Sequence, residues 1–241
     1  ALSDDQLTIF LQPIIDLATG KVVGAESLVR WIHPEKGVIS PDDFIPLAEE
    51  CGLIDRLGLI VTEKSCLAAT QWCKVSSEPL YLSINKSVHQ FHLDGDCSNM
   101  LAIIEASAFP SEQIVIEITE SLMMSSYQDC ITILDKLRAK GICIFLDDFG
   151  TGYSSLSHLK RLPIYKVKID LSFVRDILVD KSDAALVDAI IAMTQSLGLQ
   201  TIAEGIECEA QGQYLLAQGC TLGQGYYFSK PMPADEFLTF L

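Results

Sequence analysis

The amino-acid sequence predicts an α/β fold, a TIM-like (β/α)8 barrel, from three observations. First, apolar runs with the periodicity of strands and helices alternate from Tyr81 onward, and about eight strand candidates occur in all. Second, most polar residues that interrupt these strands stand near a strand's carboxyl end, where the active sites of such barrels gather. Third, the 241 residues are 49% hydrophobic and contain no linker or repeat, which predicts a single domain over residues 1–241.

Composition narrows the class of protein. The formal net charge of −15 argues against a general surface for DNA, RNA or an anionic membrane, because such surfaces need basic patches. The eight cysteines include no C-x-x-C pair and mostly adjoin apolar residues, which predicts reduced interior thiols in a cytoplasmic protein. Neither a signal peptide nor a bilayer-spanning run is visible. Because the chain opens at Ala1 rather than Met, we expect a piece of a longer protein, whose upstream part could carry a sensor, a regulatory domain or a membrane anchor.

The first two strands are predicted at residues 7–16 and 22–31. Pro13 interrupts the first strand beside Gln12, which predicts an edge position or a bend because proline cannot donate to a ladder. Strand alternation in the second strand puts Glu26, Leu28 and Arg30 on one face. Glu26 and Arg30 could neutralise each other as an ion pair. If this face lines a pocket, Glu26 can instead ligate a metal while Arg30 binds a phosphate.

The next elements alternate helix and strand. Ser40 caps a helix that Gly52 ends, and a second helix runs to about Trp72 and serves packing. The strand at 81–85 closes on Asn85. In the strand at 114–120, Glu117 interrupts an apolar run and needs a partner, because burying a lone carboxylate is costly. Glu120 follows at the strand's exit, and a helix at about 127–140 ends before Gly141.

The stretch at 142–155 is the one around which the chain is organised. Its apolar strand ends in two adjacent carboxylates, Asp147 and Asp148, followed by a loop in which Gly150 and Gly152 free the backbone. Adjacent acids raise one another's pKa unless a cation or a shared proton compensates them, which favours a metal site. Asp and Gly are also common turn residues, so a solvated turn is an equal alternative on this stretch alone.

Polar residues also mark the last third of the chain. The strand at 165–170 carries Lys168 and Asp170 on one face, either as a solvated edge or as a lysine that orients a water or stabilises developing charge. Ser182 is predicted to cap a helix that turns Leu186, Val187, Ile190 and Ile191 to the core. The next strand ends at Glu204, and a last strand at 221–228 carries Gln224.

In a (β/α)8 barrel the polar strand ends converge on one rim. The oxygen-bearing candidates there are Glu26, Asn85, Glu117, Asp147, Asp148 and Glu204. Without a cluster of thiolates or imidazoles, these ligands suit Mg²⁺ or Mn²⁺. Their number suffices for two ions about 3.5–4 Å apart bridged by an aspartate, the arrangement used in phosphoester hydrolysis.

Essentially the whole chain resembles the EAL domain family of cyclic di-GMP phosphodiesterases. The motifs that carry the resemblance are ESLVRW (26–31), NKS (85–87), EITE (117–120), DDFGTGYSS (147–155), KID (168–170), AEGIE (203–207) and QGY (224–226). The resemblance implies a barrel whose first strand runs antiparallel to the rest. It also implies bacterial second-messenger signalling by hydrolysis of cyclic di-GMP to linear pGpG.

The resemblance further implies a role for each site residue. One ion is held by Glu26, Asn85, Glu117 and Asp147, and the second by Asp147, Asp148 and Glu204. A water between the ions attacks phosphorus, with Lys168 positioning it and Glu204 as a candidate general base. Arg30, Gln12 and Gln224 hold the substrate. Glu120 braces the loop at 148–155, including Phe149, Gly150 and Thr151, which in this family links the metal site to a homodimer interface.

Three positions depart from the family's usual pattern, namely Ser27, Lys86 and His158. None removes a chemical group assigned above, so we predict an active enzyme, with Ca²⁺ as an inhibitory ion. The main alternative is a catalytically inactive receptor or scaffold on the same fold. A more distant one is another metal-dependent barrel, such as an enolase-like lyase.

Overall fold

The computed structural model describes residues 6–91, 94–120, 127–152 and 159–241, apart from the side chains of 94–96 and 127–129. Ten strands in the described chain form one sheet in the order β10-β1-β9-β8-β7-β6-β5-β4-β2-β3, and β1 also pairs with β2. That extra pairing closes eight strands, β1, β2 and β4 to β9, into a barrel. The strands are β1 Leu7–Asp16, β2 Val22–His33, β3 Gly37–Ile39, β4 Tyr81–Asn85, β5 Ile114–Thr119, β6 Cys143–Phe149, β7 Lys166–Ile169, β8 Gln200–Ala203, β9 Leu222–Gly223 and β10 Met232–Pro233.

Strand β1 runs antiparallel to both of its barrel neighbours, β2 and β9, whereas the other neighbouring barrel strands are parallel. The cause is the connection. Strands β1 and β2 are joined by a tight turn in which the Asp16 carboxylate accepts the amides of Ala18 and Thr19, whereas parallel neighbours require long crossovers. The predicted barrel with an antiparallel first strand is therefore confirmed.

Pro13 lies inside a continuous, buried β1, so the predicted edge position is wrong. On one side β1 pairs with β2 from Leu7 to Ile15, with a register shift between Ile14 and Ile15, an irregularity beside Pro13 that agrees with the predicted alternative of a bend. On its other side Phe10 and Leu11 pair with β10, whereas Ile15 and Asp16 pair with β9. Pro13 falls in the gap between these two partners, where the ladder does not need its missing N–H.

The helices cover the outside of the barrel. They are α1 Pro41–Glu50, α2 Ile54–Trp72, α3 Asp94–Ala106, α4 Tyr127–Ala139, α5 Leu171–Arg175, α6 Lys181–Ser196, α7 Glu209–Gln218 and α8 Ala234–Phe240, with short 3₁₀ helices at Val88–Phe91 and Ser111–Gln113. Most buried apolar side chains lie between these helices and the barrel. A second, small apolar cluster fills the lower barrel interior, formed by Ile14, Val115, Phe145, Ile202 and Leu222.

Two details of α6 differ from the sequence prediction. Its N-cap is Asp180 rather than Ser182, because the Asp180 carboxylate accepts the amides of Ser182 and Asp183, and Ser182 already lies in the first turn. Val187, Ile190 and Ile191 are buried as predicted, but Leu186 is 38% exposed. The apolar stripe of α6 is therefore wider than the part that the barrel covers.

The predicted last strand is also shorter in the structure. Only Leu222 and Gly223 pair, and the chain turns at Gly225. The backbone of Ile206 lies within 2.1 Å of the place where a Cβ of residue 225 would be, and the Tyr227 amide donates to the Ile206 carbonyl. This close approach ends the strand and leaves Gln224 at its tip.

All eight cysteines are free, and four of them are fully buried, so the prediction of interior thiols holds for half. Cys51, Cys73 and Cys208 are exposed instead. Within the described part of the chain, none of the helices combines the length and the apolar composition that crossing a membrane requires.

Candidate metal and phosphodiester site

The barrel interior changes from apolar to polar at its carboxyl rim. Inward-facing positions of the parallel strands carry Glu26 in β2, Asn85 in β4, Glu117 in β5, Asp147 in β6 and Lys168 in β7, and Glu204 follows β8 directly. Register fixes their neighbours: Asn85 pairs with Glu117, and Gln12 of β1 pairs with Glu26. Residues distant in sequence thus meet because parallel strands end at the same rim.

Lys168 stands at the centre of four carboxylates and is fully buried. Its Nζ lies 2.7 Å from Glu204 Oε1, 2.9 Å from Glu117 Oε2, 3.1 Å from Asp147 Oδ1 and 3.3 Å from Glu26 Oε2. The alternative of a solvated edge for this strand is therefore wrong. Burial lowers the pKa of Lys168, but the surrounding acids outweigh it and hold the pKa well above the ordinary value, so the ammonium stays charged.

Five of the predicted ligands form two groups that share Asp147. Carboxylate oxygens of Glu26, Glu117 and Asp147 lie within 4.8 Å of one another, as do those of Asp147, Asp148 and Glu204. Asn85 adjoins the first group and donates to Glu26 Oε1 at 2.7 Å. These donors are oxygens only, the chemistry that hard divalent cations such as Mg²⁺ and Mn²⁺ prefer.

The single ammonium of Lys168 does not neutralise all the carboxylates of the site, so the pKa values of most of them are raised. Burial raises the pKa of Glu204 to about 8 and that of Asp148 to about 6, and it raises the pKa of Glu117 and Asp147 as well. Glu26 differs: burial raises its pKa, but Lys168, Gln224 and Asn85 together lower it below the ordinary value. These raised pKa values mean that the carboxylates repel one another when they are all ionised. Divalent cations that replace the bound protons would relieve this repulsion.

Asp148 reaches the second group through an irregularity in β6. Adjacent residues of a regular strand point to opposite faces, so Asp147 and Asp148 would normally diverge. Here the pairing of β6 with β7 shifts register between Leu146 and Phe149, and Asp148 adopts a left-handed φ of 53°. Its amide then donates to Asp147 Oδ1 at 3.0 Å, and both carboxylates face the rim.

Glu120 joins β5 to the loop after β6. Its Oε2 accepts the amides of Gly150 and Gly152, each at 3.3 Å. Phe149 is buried, and the Thr151 hydroxyl donates to the Asp148 carbonyl at 2.9 Å. The structure thus links Glu120 to the first half of the predicted loop. Residues 153–158, which include His158 and the rest of the 148–155 loop, lie outside the described residues.

The predicted substrate contacts differ in how they are held. Gln224 donates to Glu26 Oε2 at 2.6 Å and to Gln12 Oε1 at 3.1 Å, and Gln12 donates to the Ser229 carbonyl. Both side-chain amides therefore support the wall of the candidate metal site. Arg30 lies further out, donates to the Val29 carbonyl and stacks over Phe10 at 5.6 Å. Among the described residues, the hydrogen bonds of the Glu26 carboxylate come from Asn85, Lys168 and Gln224, which disfavours a simple Glu26–Arg30 ion pair.

Sequence reasoning missed two inward-facing residues of β4, Tyr81 and Ser83. Their hydroxyls are buried inside the barrel, on the same face of β4 as Asn85. The signal was present, because the alternation that turns Asn85 inward turns residues 83 and 81 inward too.

Comparison with known proteins assigns the family. A family model described as the EAL domain matches residues 1–231. The chain belongs to the EAL domain family. This EAL domain is 40% identical over 239 residues to a bifunctional diguanylate cyclase/cyclic di-GMP phosphodiesterase, MucR of Pseudomonas aeruginosa, covering 99% of this chain and 35% of that protein. It is 39% identical over 241 residues to the cyclic di-GMP phosphodiesterase NbdA of the same organism, covering 99% and 31%. The EAL domain thus spans about a third of the length of these relatives.

Solved structures agree with the fold. The EAL domain superposes on the MucR phosphodiesterase in complex with cyclic di-GMP with a TM-score of 0.93 and 38% identity, covering 98% of this chain and 96% of that one. It also resembles Klebsiella pneumoniae BlrP1, solved as a manganese and cyclic di-GMP complex, with a TM-score of 0.83 and 29% identity, covering 96% and 57%. A calcium and cyclic di-GMP complex of BlrP1 is likewise similar.

Proposed function

We propose that this EAL domain hydrolyses cyclic di-GMP to linear pGpG with two divalent ions, Mg²⁺ or Mn²⁺. The observation that carries the proposal is the pair of carboxylate groups sharing Asp147 at the barrel rim. Family membership supports the substrate, because relatives are named as cyclic di-GMP phosphodiesterases. In the proposed assignment Glu26, Asn85, Glu117 and Asp147 hold one ion, and Asp147, Asp148 and Glu204 hold the other.

Bound ions would lower the pKa of a water and stabilise negative charge on the phosphodiester. The chain's own residues supply the rest. Lys168, charged and fixed by four carboxylates, places a positive charge beside the reacting centre and cannot rotate away. Glu204 is the proposed general base: burial raises its pKa to about 8 in the metal-free site, and a bound cation would keep it ionised, the form that accepts a proton.

Arg30 is the proposed phosphate contact, because it is only half buried at the rim and its guanidinium suits a phosphate. Gln12 and Gln224 are proposed to bind the substrate with amide atoms beyond those that brace Glu26. Gln224 Oε1 is buried and has no hydrogen-bond partner among the described residues, so it is free to accept from a ligand.

The deciding experiment is turnover of cyclic di-GMP by the purified chain with Mn²⁺ or Mg²⁺, with product identified by chromatography against pGpG. We expect pGpG with either ion and none after chelation. Tight binding of cyclic di-GMP without product would support the inactive receptor instead. Binding of a single ion per chain would argue for a one-metal chemistry such as that of an enolase-like lyase.

Calcium provides a second test of the site. Ca²⁺ tolerates longer and more numerous oxygen ligands than Mg²⁺, so we expect it to occupy the site without supporting turnover. Adding Ca²⁺ to the Mg²⁺-loaded protein should then inhibit. Full activity with Ca²⁺ as the only metal would contradict this assignment.

The lengths of the relatives and the exposed apolar side chains support two further proposals, one about the full-length protein and one about its assembly. The relatives are about three times as long as this chain, which supports an upstream sensor or regulatory domain in a longer signalling protein. We propose that the EAL domain is a cytoplasmic part of that protein, whether or not the rest is anchored in a membrane, and the net charge of −15 argues against a role in binding DNA or RNA. A homodimer is supported by exposed apolar side chains on α5, on α6 and between them, namely Leu171, Leu178, Val179 and Leu186. Of these, Leu186 lines a surface cavity together with Glu120, Gly150 and Gly152, so it lies beside the loop that Glu120 braces.

A further inference from the structure

Three buried polar atoms beneath the carboxylates have no hydrogen-bond partner among the described residues. They are the Tyr81 hydroxyl, the Ser83 hydroxyl and Oε1 of Glu117. The other oxygen of Glu117 is the one that contacts Lys168. Buried polar atoms in folded proteins are nearly always satisfied by protein or by ordered water, so three such atoms in one region indicate a common partner.

The strands bring these atoms together. Alternation in β4 turns Tyr81, Ser83 and Asn85 inward, and Asn85 pairs with Glu117 on β5. The register of β4 and β5 pairs Ser83 with Val115 and Asn85 with Glu117, so Glu117 is the diagonal neighbour of Ser83, and Tyr81 stands two residues before Ser83 on the same face. The groups are therefore close, although no hydrogen bond of normal length and angle joins them.

The Tyr81 ring is held in place from three sides. On β2 its partner is Gly24, where an added Cβ would lie 2.7 Å from the ring, so only glycine leaves room for it. Phe145 contacts it edge-on with centroids 5.7 Å apart, and the Lys166 ammonium lies 5.9 Å from its centroid. The hydroxyl therefore has a defined position within the barrel.

A purely apolar role would not require the hydroxyl. Phenylalanine would fill the same space and make the same ring contacts without burying an unpaired polar group, which costs free energy. A buried water typically makes about three hydrogen bonds, the number that these three atoms offer.

We infer that Tyr81 and Ser83 bind one internal water that hydrogen-bonds Oε1 of Glu117, and that Tyr81 is thereby a positioning residue for the metal site. This inference rests on the proposed metal site. The water fixes the carboxylate from below, so that Oε2 faces the rim, where the first ion would bind. Such outer contacts orient metal ligands, and their loss typically weakens metal binding about 10- to 100-fold.

The test measures Mn²⁺ affinity without substrate, by the electron paramagnetic resonance signal of free Mn²⁺, for the wild type, Tyr81→Phe, Ser83→Ala and the double variant. We expect each single variant to bind Mn²⁺ about tenfold more weakly. The double variant should be only slightly worse than either, because both hydroxyls act through the same water. Tyr165→Phe, which removes a half-exposed hydroxyl at the entrance of β7, is the matched control and should bind like the wild type.

Thermal unfolding of the metal-free proteins separates positioning from a structural role. Tyr81→Phe should keep or raise the melting temperature, because it removes a buried hydroxyl that bonds no protein atom. An unchanged Mn²⁺ affinity in Tyr81→Phe would overturn the inference about Tyr81 without contradicting the proposed metal site. Failure of the wild type to bind Mn²⁺ would overturn both this inference and the proposed function.

Discussion

At the scale of single residues, the site depends on buried carboxylates and a buried ammonium that neutralise one another. Lys168 contacts four carboxylates, and Glu26 accepts from Asn85, Lys168 and Gln224 at once. Each of these groups would be costly to bury alone, so each is held in position by the others. Variants at Glu26 and Lys168 should therefore separate the loss of a ligand from the loss of the compensating charge.

Glu26→Ala should abolish turnover while the protein stays folded. The change removes a carboxylate from the first group, but Lys168 keeps three acids and stays paired. We expect activity at least 10³-fold lower, on the order of what losing essential electrostatic groups costs. The measurement is pGpG formation with saturating Mn²⁺, with circular dichroism to monitor the fold. Glu78→Ala, which removes an exposed acid paired with Lys21, serves as the control. Wild-type activity in Glu26→Ala would refute the ligand assignment.

Lys168→Met should destabilise the metal-free protein by about 3–5 kcal/mol at pH 8, since it leaves buried carboxylates without their cation. Acidification should restore part of this loss, because the acids of the site then bind protons. The measurement is denaturant unfolding of the variant and the wild type at pH 5.5 and pH 8. An equal difference in stability at both pH values would show that the ammonium does not compensate these acids.

At the scale of elements, irregularities rather than regular strands place the reactive groups. The register shift in β6 brings Asp148 to the rim, and the loop after it is tied to β5 through Glu120. Gly152 allows this contact, since a Cβ there would lie 2.9 Å from a Glu120 oxygen. The loop and the second carboxylate group are thus mechanically connected.

Glu120→Ala should lower turnover roughly 10- to 100-fold. The change removes the acceptor of the two loop amides, so the Asp148 carboxylate at the start of the loop can move from its position at the rim. Hydrogen exchange should increase at the amides of Gly150 and Gly152, which lose their acceptor. Glu105→Ala, at an exposed ion pair with Lys140, is the control. Faster hydrogen exchange with unchanged turnover would show that the contact between Glu120 and the loop is not needed for catalysis.

The exposed part of α6 leads to a prediction about assembly. Leu186 is 38% exposed, and Val179, just before the helix, is 82% exposed. If this face joins two copies, Leu186→Asp should shift the protein from dimer to monomer, since it buries a charge in an apolar contact. Sedimentation velocity at several concentrations measures this, with Leu67→Asp, an exposed site on α2, as the control. A monomeric wild type would contradict the proposed dimer.

At the scale of the whole molecule, protons and metal ions compete for the same carboxylates. The folded, metal-free protein holds Glu204 with a pKa of about 8 and Asp148 with a pKa of about 6, both above their ordinary values. A carboxyl whose folded pKa is raised binds its proton more tightly on folding, so stability falls as pH rises from the ordinary pKa through the folded one. The metal-free protein should therefore lose stability between about pH 5 and pH 8.

The thermal shift produced by Mg²⁺ should then grow as pH rises from 6 to 8. Metal binding requires the deprotonated carboxylates and releases their protons, so affinity increases with pH. Differential scanning fluorimetry with and without a fixed Mg²⁺ concentration measures both trends. Glu204→Gln should flatten both trends, because it removes a carboxyl group whose pKa in the folded protein is raised to about 8. A shift that shrinks with pH would contradict the linkage.

The sequence by itself determined the elements and the identity of the rim residues. Barrel strands such as β4 and β5 carry apolar runs that end in a polar side chain, and parallel strands end at one rim. Asn85, Glu117 and Glu204 could therefore be identified from their positions alone, as could the placement of Arg30 on the face of Glu26, and family motifs added substrate-binding roles for Gln12 and Gln224. The local sequence pattern sufficed to place these side chains inside the barrel, because the direction of a side chain in a regular strand follows from alternation.

Only the tertiary structure decided which atoms meet. The contacts of Lys168 with Glu26 and Glu204 join strands that are distant in sequence, and alternation sets a side chain's face but not its distance from others. The inward turn of Asp148 depends on a local left-handed residue and a register shift, neither of which its sequence signals. The place of Pro13, the exposure of Leu186 and the grouping of Tyr81 with Glu117 likewise follow from closing the barrel, because closure fixes neighbours across the whole chain.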